Sequence, residues 1–214
     1  MNEALKDYSQ VNIIECDDFL TVLPQLALTG QILLVTSKGF TNRGVTEQVL
    51  DVLGAPRVVV FDDVSPNPEK THLQDQVGQF REAKIEHVIA LGGGSCIDAA
   101  KVLCALLSHQ HSALDELLTQ NQVTNHINLV AIPTTSGTGA EVTPFATVWE
   151  TATNKKFSLY GILPNTAVLS PALTVTLPAD NSLYPALDAL SHALESLWND
   201  NTTPDSAHYA HQAI

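Results

Sequence analysis

The sequence predicts an α/β protein with a doubly wound, mostly parallel domain, followed by the beginning of an all-helical domain. Short apolar runs alternate with helical segments up to about residue 133, which is the rhythm of strands joined by crossover helices. Beyond residue 179 the leucines recur every three or four positions. With 44% hydrophobic and 15% charged residues among 214, the chain can bury a large core, which excludes a disordered tail.

Four apolar runs predict strands, at residues 31–36, 57–61, 86–91 and 128–132. They lack polar alternation, which is typical of strands covered on both faces in a parallel sheet. The stretches between these runs predict helices over residues 42–53, 69–84 and 96–108.

A different pattern follows Pro133. Residues 145–149 and 156–160 flank a polar loop and predict a β-hairpin, and Pro164, Pro171 and Pro178 then indicate extended pieces. From residue 179 a leucine stripe predicts a buried helix face: Leu183, Leu187, Leu190, Leu194 and Leu197. A second helix is predicted near Thr203, as N-cap, and Pro204. We therefore divide the chain into a domain at 1–178 and the start of a helical domain at 179–214.

Composition and charge exclude several partners. Ten Lys and Arg against 23 Asp and Glu give a net charge of −13, which repels nucleic acid and anionic membranes. The N-terminal residues are polar and acidic, unlike a signal peptide, and the apolar runs are too short to span a membrane. Three cysteines do not make a paired disulfide framework. We expect a cytoplasmic protein.

The sharpest motif is LGGGSCIDAAK at residues 91–101, where a strand runs into three glycines and then a helix. Glycines without Cβ let a diphosphate approach the backbone, and the N–H groups of the helix N-terminus bind it. The alternative is a tight turn without a ligand. The motif is not the common dinucleotide fingerprint, because Ile97 occupies the position of its third glycine.

Two further motifs could carry chemistry. IPTTSGTGAEVT at residues 132–143 places four threonines and two glycines directly after a strand, at the sheet edge where α/β proteins bind ligands, although an ordinary polar turn is equally compatible. Asp188 and His192 are four residues apart and share a helix face, so they could bind one metal ion. A surface pair or a helix-stabilising hydrogen bond is the alternative.

In this order, the motifs resemble the iron-containing (group III) alcohol dehydrogenase family from near the start to the last residue. The matches are GGGSCIDAAK, PTTSGTGAEVT, Lys156 after the hairpin, PALTVTLP and DALSHALES. The resemblance implies a nucleotide-binding first domain with NAD or NADP, and a divalent metal (Fe²⁺, with Zn²⁺ as the alternative) that polarises the substrate oxygen.

The resemblance also assigns residues. It places Gly93, Gly94, Ser95 and Asp98 along the diphosphate and nicotinamide; it places Thr134, Thr135, Thr138 and Thr143 on the adenine and phosphate side, with Lys156, Leu173 and Asn67 at the cofactor. Asp188 and His192 match two metal ligands.

Ser37 departs from the family pattern. Many relatives carry Asp at this strand end, where an acid binds the ribose 2′-hydroxyl and repels a 2′-phosphate. Ser37 with Lys38 and Arg43 nearby removes that repulsion, so Ser37 is assigned to the cofactor site and NADP(H) is expected to be tolerated.

The sequence thus predicts a metal-dependent NAD(P)-linked oxidoreductase that interconverts a primary alcohol and its aldehyde as a homo-oligomer, a dimer. No general base is assigned. Because one carboxylate and one imidazole are half of a metal site, we expect a truncated helical domain whose remaining ligands would lie beyond residue 214. The alternatives are a dinucleotide-binding fragment without catalysis and a polyol oxidoreductase similar to glycerol dehydrogenase.

Overall fold

A computed structural model describes residues 10–175 and 177–214 and places six parallel strands in one sheet. In chain order the strands of the molecule are β1 Asn12–Glu15, β2 Gln31–Val35, β3 Val58–Phe61, β4 Ile85–Gly92, β5 Asn128–Pro133, β6 Phe145–Glu150, β7 Lys155–Tyr160 and β8 Thr166–Leu169. The sheet has the order β1-β8-β5-β4-β2-β3, and β6 pairs with β7 in a separate antiparallel hairpin. The predicted fold class and the hairpin are confirmed.

In the part of the chain that the structure describes, eight α-helices connect or follow the strands. They are α1 Phe19–Val22, α2 Lys38–Asn42, α3 Val45–Leu53, α4 Lys70–Glu82, α5 Gly94–Ser108, α6 Leu114–Leu118, α7 Ala179–Trp198 and α8 Pro204–Ala213. The helix predicted over residues 42–53 begins three residues later, as α3, because Gly44 adopts φ +77°, a left-handed conformation that interrupts a helix. The short helix α2, which was not predicted, ends before it at Asn42.

Helices cover both faces of the sheet. Along β2 the side chains alternate: Leu33 and Val35 belong to one buried cluster, Ile32 and Leu34 to the other. The first cluster includes residues of α4, α5 and α6, and the second includes residues of α1 and α3. The doubly wound arrangement follows from this alternation.

Two strands were not predicted from the sequence. β1 and β8 have four residues each and pair with one another in parallel, and β8 also pairs with β5. Four residues give too short a pattern to separate a strand from an extended loop. The region between Pro164 and Pro171, expected to be merely extended, therefore contains a strand of the main sheet.

The β6–β7 hairpin is bound to the segment that precedes α4. The Trp149 N–H donates to the Pro68 carbonyl at 2.8 Å, and the Glu69 carboxylate accepts from the backbone N–H of Thr151 at 2.8 Å and its hydroxyl at 2.7 Å. Lys70 forms an ion pair with Glu150 at 2.7 Å. The hairpin thereby fixes the neighbouring Asn67, whose φ is +58°.

The helical segment leaves much of its apolar surface exposed. Leu183 and Leu187 are each 52% exposed, so within the described residues this part of the leucine stripe is not buried. Within the described residues, α7 is covered mainly by α8, whose predicted N-cap at Thr203 is confirmed by reciprocal hydrogen bonds with Ser206. The division into domains at residue 178 stays a prediction, and residues 1–9 and Thr176 lie outside the described residues.

The length and composition of the helices show whether any of them could span a membrane. Among the residues described, none forms a helix that combines the length and the apolar character needed to cross a bilayer.

Candidate functional site

The site lies at the carboxyl edge of the sheet, where the chain changes direction. From β2 the chain passes to α3 on one face, and from β4 it passes to α5 on the other. The loops after β2 and β4 therefore diverge and leave a crevice, the usual ligand position in open α/β sheets. Ser37 follows β2, Gly93 follows β4 and Thr134 follows β5.

The crevice widens into a cleft with two lobes that share Asn67, Gly94 and Ser95. The first lobe, of about 600 Å³, reaches the β6–β7 hairpin and α7. The second lobe, of about 700 Å³, reaches the end of β2 and the start of α7. Two contiguous lobes of this size can hold an extended ligand with a different chemical group in each.

Most predicted site residues meet in this cleft. The first lobe is lined by Asn67, Gly94, Ser95, Asp98, Thr138, Thr143, Lys156, Asp188 and His192. The second is lined by Ser37, Asn67, Gly93, Gly94, Ser95 and Thr135. Thr138 and Thr143, which the resemblance assigns to the adenine and phosphate side, thus lie in the same lobe as the proposed metal pair.

Two predicted residues do not line the cleft. Thr134 is buried, and its backbone N–H donates to the Gly92 carbonyl at 3.1 Å, which joins the ends of β5 and β4. Leu173 packs against the apolar cluster on the α3 face of the sheet. A cofactor role for either residue stays a prediction.

The glycine loop leaves room for a ligand at the N-terminus of α5. A Cβ on Gly93 would lie 3.1 Å from the Thr135 hydroxyl, and one on Gly94 would lie 3.3 Å from the Thr138 side chain. Among the described residues, no side chain caps this fifteen-residue helix. The turn is therefore bare backbone facing two threonines, which suits a diphosphate that accepts hydrogen bonds from N–H and hydroxyl groups.

Asp98, the fifth residue of α5, lines the first lobe. Its carboxylate accepts from the Thr147 N–H of β6 at 3.1 Å. Burial raises the pKa of Asp98, and Lys101, the Thr147 N–H and Lys156 oppose that rise. Burial also raises the pKa of Cys96 to about 12, so this thiol stays protonated at neutral pH and is not a nucleophile.

The surroundings of Ser37 differ from the expectation. Ser37 forms a backbone bridge with Asp63, which follows β3, and the Lys38 amine lies 2.6 Å from the Asp63 carboxylate. The Arg43 guanidinium lies over the Phe40 ring, 4.5 Å from its centre. The cations expected to favour a 2′-phosphate thus have other partners, and Asp63 is a nearby acid that the sequence analysis missed.

Asp188 and His192 lie on the same face of α7 and line the first lobe, and both are partly exposed. The Asp188 carboxylate and the His192 Nε2 are 3.9 Å apart, and oxygen and imidazole nitrogen are ligands that Fe²⁺ and Zn²⁺ accept. Over residues 10–175 and 177–214, no third His, Cys, Asp or Glu completes a group able to hold a metal. The pair fits two positions of a ligand set.

The structure adds residues that the sequence analysis did not single out. Asn181, Tyr184 and Pro185 of α7 line the second lobe, and Trp149 of the hairpin lines the first. Lys101, the last residue of GGGSCIDAAK, is fully buried behind the first lobe. Lys101 could have been recognised as unusual from the sequence, because it is a lysine among apolar helix positions. Nothing in the sequence indicated that the hairpin or the start of α7 would line the cleft.

The fold and the cleft define an α/β protein with a dinucleotide-sized site at the switch point of a parallel sheet. Comparison with protein families matches residues 13–171 to iron-containing alcohol dehydrogenase. The chain therefore belongs to the iron-containing alcohol dehydrogenase family.

Individual relatives agree with this assignment. The chain is 34% identical over 169 residues to a 4-hydroxybutyrate dehydrogenase of Cupriavidus necator, covering 77% of this chain and 44% of the relative. Its fold is similar to that of sulfoacetaldehyde reductase from Bifidobacterium kashiwanohense in complex with NAD⁺, with a TM-score of 0.86, 29% identity, and coverage of 98% and 58%. An iron-containing alcohol dehydrogenase from Thermotoga maritima also gives a TM-score of 0.86, at 28% identity and coverage of 95% and 58%. The chain spans about half the length of these relatives.

Proposed function

We propose that the chain provides the NAD(P)(H) site, and part of the metal site, of an oxidoreductase that interconverts a primary alcohol and its aldehyde. The overall reaction is alcohol + NAD(P)⁺ to aldehyde + NAD(P)H + H⁺. The observation that carries the proposal is the convergence of the uncapped glycine loop, the threonines after β5 and the Asp188–His192 pair on one cleft. Membership of the family and the NAD⁺-bound similar structure support it.

Each part of the cleft has a role in the proposal. The loop at Gly93 and Gly94 binds the diphosphate, Ser37 lies toward the adenosine ribose, and Asp98 and Lys156 flank the nicotinamide end in the first lobe. Asp188 and His192 would hold the metal, which when bound supplies Lewis acidity at the substrate oxygen. Phe145 and Trp149 add apolar surface to that lobe. These assignments follow the motifs and the lining residues.

The substrate class is a small aldehyde or alcohol. Two of the relatives are named for 4-hydroxybutyrate and for sulfoacetaldehyde, which are small molecules with an anionic group, and another is named for long-chain alcohols. Lys156 is the cationic side chain that lines the first lobe within the described residues. An aldehyde panel should therefore include anionic members beside short alkyl ones.

The test is a calorimetric titration of the purified chain with NADH and NADPH, followed by turnover assays with the aldehyde panel, with and without added Fe²⁺ or Zn²⁺. We expect saturable binding of at least one dinucleotide. Binding without metal-dependent turnover would favour the alternative, a dinucleotide-binding fragment that does not catalyse. Absence of binding would contradict the proposal.

A cytoplasmic location and a homodimer are further parts of the proposal. The net charge of −13 supports a partner that is neither nucleic acid nor an anionic membrane. Sedimentation at several concentrations measures the oligomeric state.

A further inference from the structure

Lys101 is buried, and no carboxylate of the described residues forms a hydrogen bond or ion pair with its ammonium group. Its side chain is 0% exposed in the second turn of α5, surrounded by the apolar helix positions that pack on the sheet. Burying an ammonium costs several kcal/mol unless its hydrogen bonds are all satisfied, and a Met or Leu of similar volume would fill the space without that cost. A lysine here therefore needs a specific reason.

All three ammonium donors are used on one short segment of the chain. Lys101 Nζ donates to the carbonyls of Ala140, Thr143 and Phe145, each at 2.7 Å. An ammonium has three donors and no acceptor, so this set saturates it. The carbonyls come from six consecutive residues that turn inward toward α5, and Lys101 replaces the water that would otherwise solvate them.

The segment held by Lys101 is a wall of the first lobe. Ala140, Thr143 and Phe145 line that lobe themselves. Residues 134–139, which lead into the segment, form neither helix nor strand, and Gly137 and Gly139 adopt positive φ. Because this loop has no regular backbone hydrogen bonds, contacts with the rest of the protein determine its position.

Asp98 extends the same attachment. It lies one turn before Lys101 on α5, and its carboxylate binds the Thr147 N–H, two residues beyond the last carbonyl that Lys101 holds. Asp98 and Glu141 also offset the buried positive charge. One acid and one base on successive turns of α5 thus hold the segment from residue 140 to residue 147.

We propose that Lys101 is a positioning residue of the cofactor site, which sets the wall of the first lobe against which the nicotinamide end of the dinucleotide lies. This rests on the proposed function for the identity of the ligand. The role is local: loss of Lys101 releases three carbonyls at the first lobe, whereas Thr135 of the second lobe stays next to Thr134, whose backbone N–H donates to the Gly92 carbonyl. Ligands that occupy only the second lobe are therefore insensitive to it.

The experiment compares NADH with ADP, which lacks the nicotinamide half. In Lys101→Met we expect the Kd for NADH to rise at least tenfold and the Kd for ADP to change less than twofold. Lys155→Met is the matched control, because Lys155 is an exposed lysine of β7 outside the lining of both lobes. Lys101→Arg, which keeps donors and charge, should recover part of the NADH affinity that Lys101→Met loses.

A second measurement uses the wild-type chain and needs no variant. In the wild-type chain with ¹⁵N-labelled lysine, the Lys101 ammonium should give a slowly exchanging NMR signal that shifts on addition of NADH but not of ADP. Equal losses of NADH and ADP affinity in Lys101→Met, or no loss of either, would overturn the proposal, as would an ammonium signal indifferent to NADH. If the wild type binds neither ligand, the proposed function fails. The positioning role is then judged by amide exchange of residues 140–147, which should quicken in the arginine variant more than that of β4.

Discussion

Replacing Gly137 by alanine should separate α7 from the cleft. A Cβ at Gly137 would lie 2.1 Å from the Pro185 carbonyl oxygen, whereas real Cβ atoms stay at least 3.0 Å from such neighbours. The carbonyl must therefore move by about 0.9 Å, and it belongs to the backbone of α7. Pro185, Asn181 and Tyr184 would move with it, out of the second lobe.

Two contributions determine how much stability Gly137→Ala loses. Gly137 has φ +131°, so an alanine is strained by about 1–3 kcal/mol, and forcing the backbones apart costs about 1–3 kcal/mol more. Gly139→Ala is the matched control in the same loop: its φ is +62° and a Cβ there meets nothing within 4 Å. That variant has the strain alone, about 1 kcal/mol, or a fall in Tm of about 2–4 °C.

The assay is thermal unfolding of both variants followed by circular dichroism, with NADH titration by calorimetry. We expect Gly137→Ala to lose about 1–5 kcal/mol more than Gly139→Ala and to bind NADH at least about tenfold more weakly. Equal stabilities and equal NADH affinities in the two variants would refute the contact between this loop and α7.

Three other perturbations test separate parts of the site. Gly94→Asp places a carboxylate where the diphosphate is proposed to lie, so the Kd for NAD(P)H should rise at least about tenfold, about 1.4 kcal/mol; an unchanged titration would exclude the loop as the diphosphate site. Ser37→Asp should shift the ratio of Kd values toward NAD(H), and Asp63→Asn, which removes the acid beside Lys38, should shift it toward NADP(H); a constant ratio in both variants contradicts the placement of the ribose. Hydrogen bonds from Thr151 lower the pKa of Glu69 below its ordinary value of 4.5, so its contribution to stability is present above pH 4.5 and is lost as the pH falls through the lowered value. The Tm should therefore fall more steeply with acid in the wild type than in Glu69→Gln, and parallel curves would show that Glu69 does not hold the hairpin.

The central strands were predictable because a strand that is buried on both faces appears in the sequence as a continuous apolar run. β2, β4 and β5 are apolar along nearly their whole length, and the observed ends differ from the predicted ones by one residue at most. β1 and β8 lie toward one edge and have four residues each, so their pattern is too short to read. The start of α3 after Gly44, rather than at residue 42, depends on one backbone angle that a hydrophobic pattern does not contain.

For the site, the order of strands and motifs in the sequence predicted which motifs lie close together. It did not predict the side-chain contacts around them. The carboxyl ends of parallel strands share an edge, so Gly93 and Thr135 had to be neighbours. The partners of Lys38 and Lys101 could not be predicted, because both contacts join segments far apart in the chain: Asp63 is 25 residues from Lys38, and Phe145 is 44 residues from Lys101. The packing of the hairpin beside the first lobe could not be predicted for the same reason, because it also joins segments far apart in the chain.

The pairing of β1 with β8 has a consequence for how the chain folds. The Cys16 N–H donates to the Leu169 carbonyl at 3.0 Å, across 153 residues of sequence. Contacts of such long range form late, because the chain entropy lost in closing the loop is recovered only when the intervening strands are in place. During synthesis on a ribosome, β1 leaves the exit tunnel before β8 and has no pairing strand until β8 has been made. By then β2, β3 and β4 can already pair with one another. We expect pulse-labelled refolding to protect β4 amides before those of β1, and simultaneous protection would mean that the sheet closes in one step.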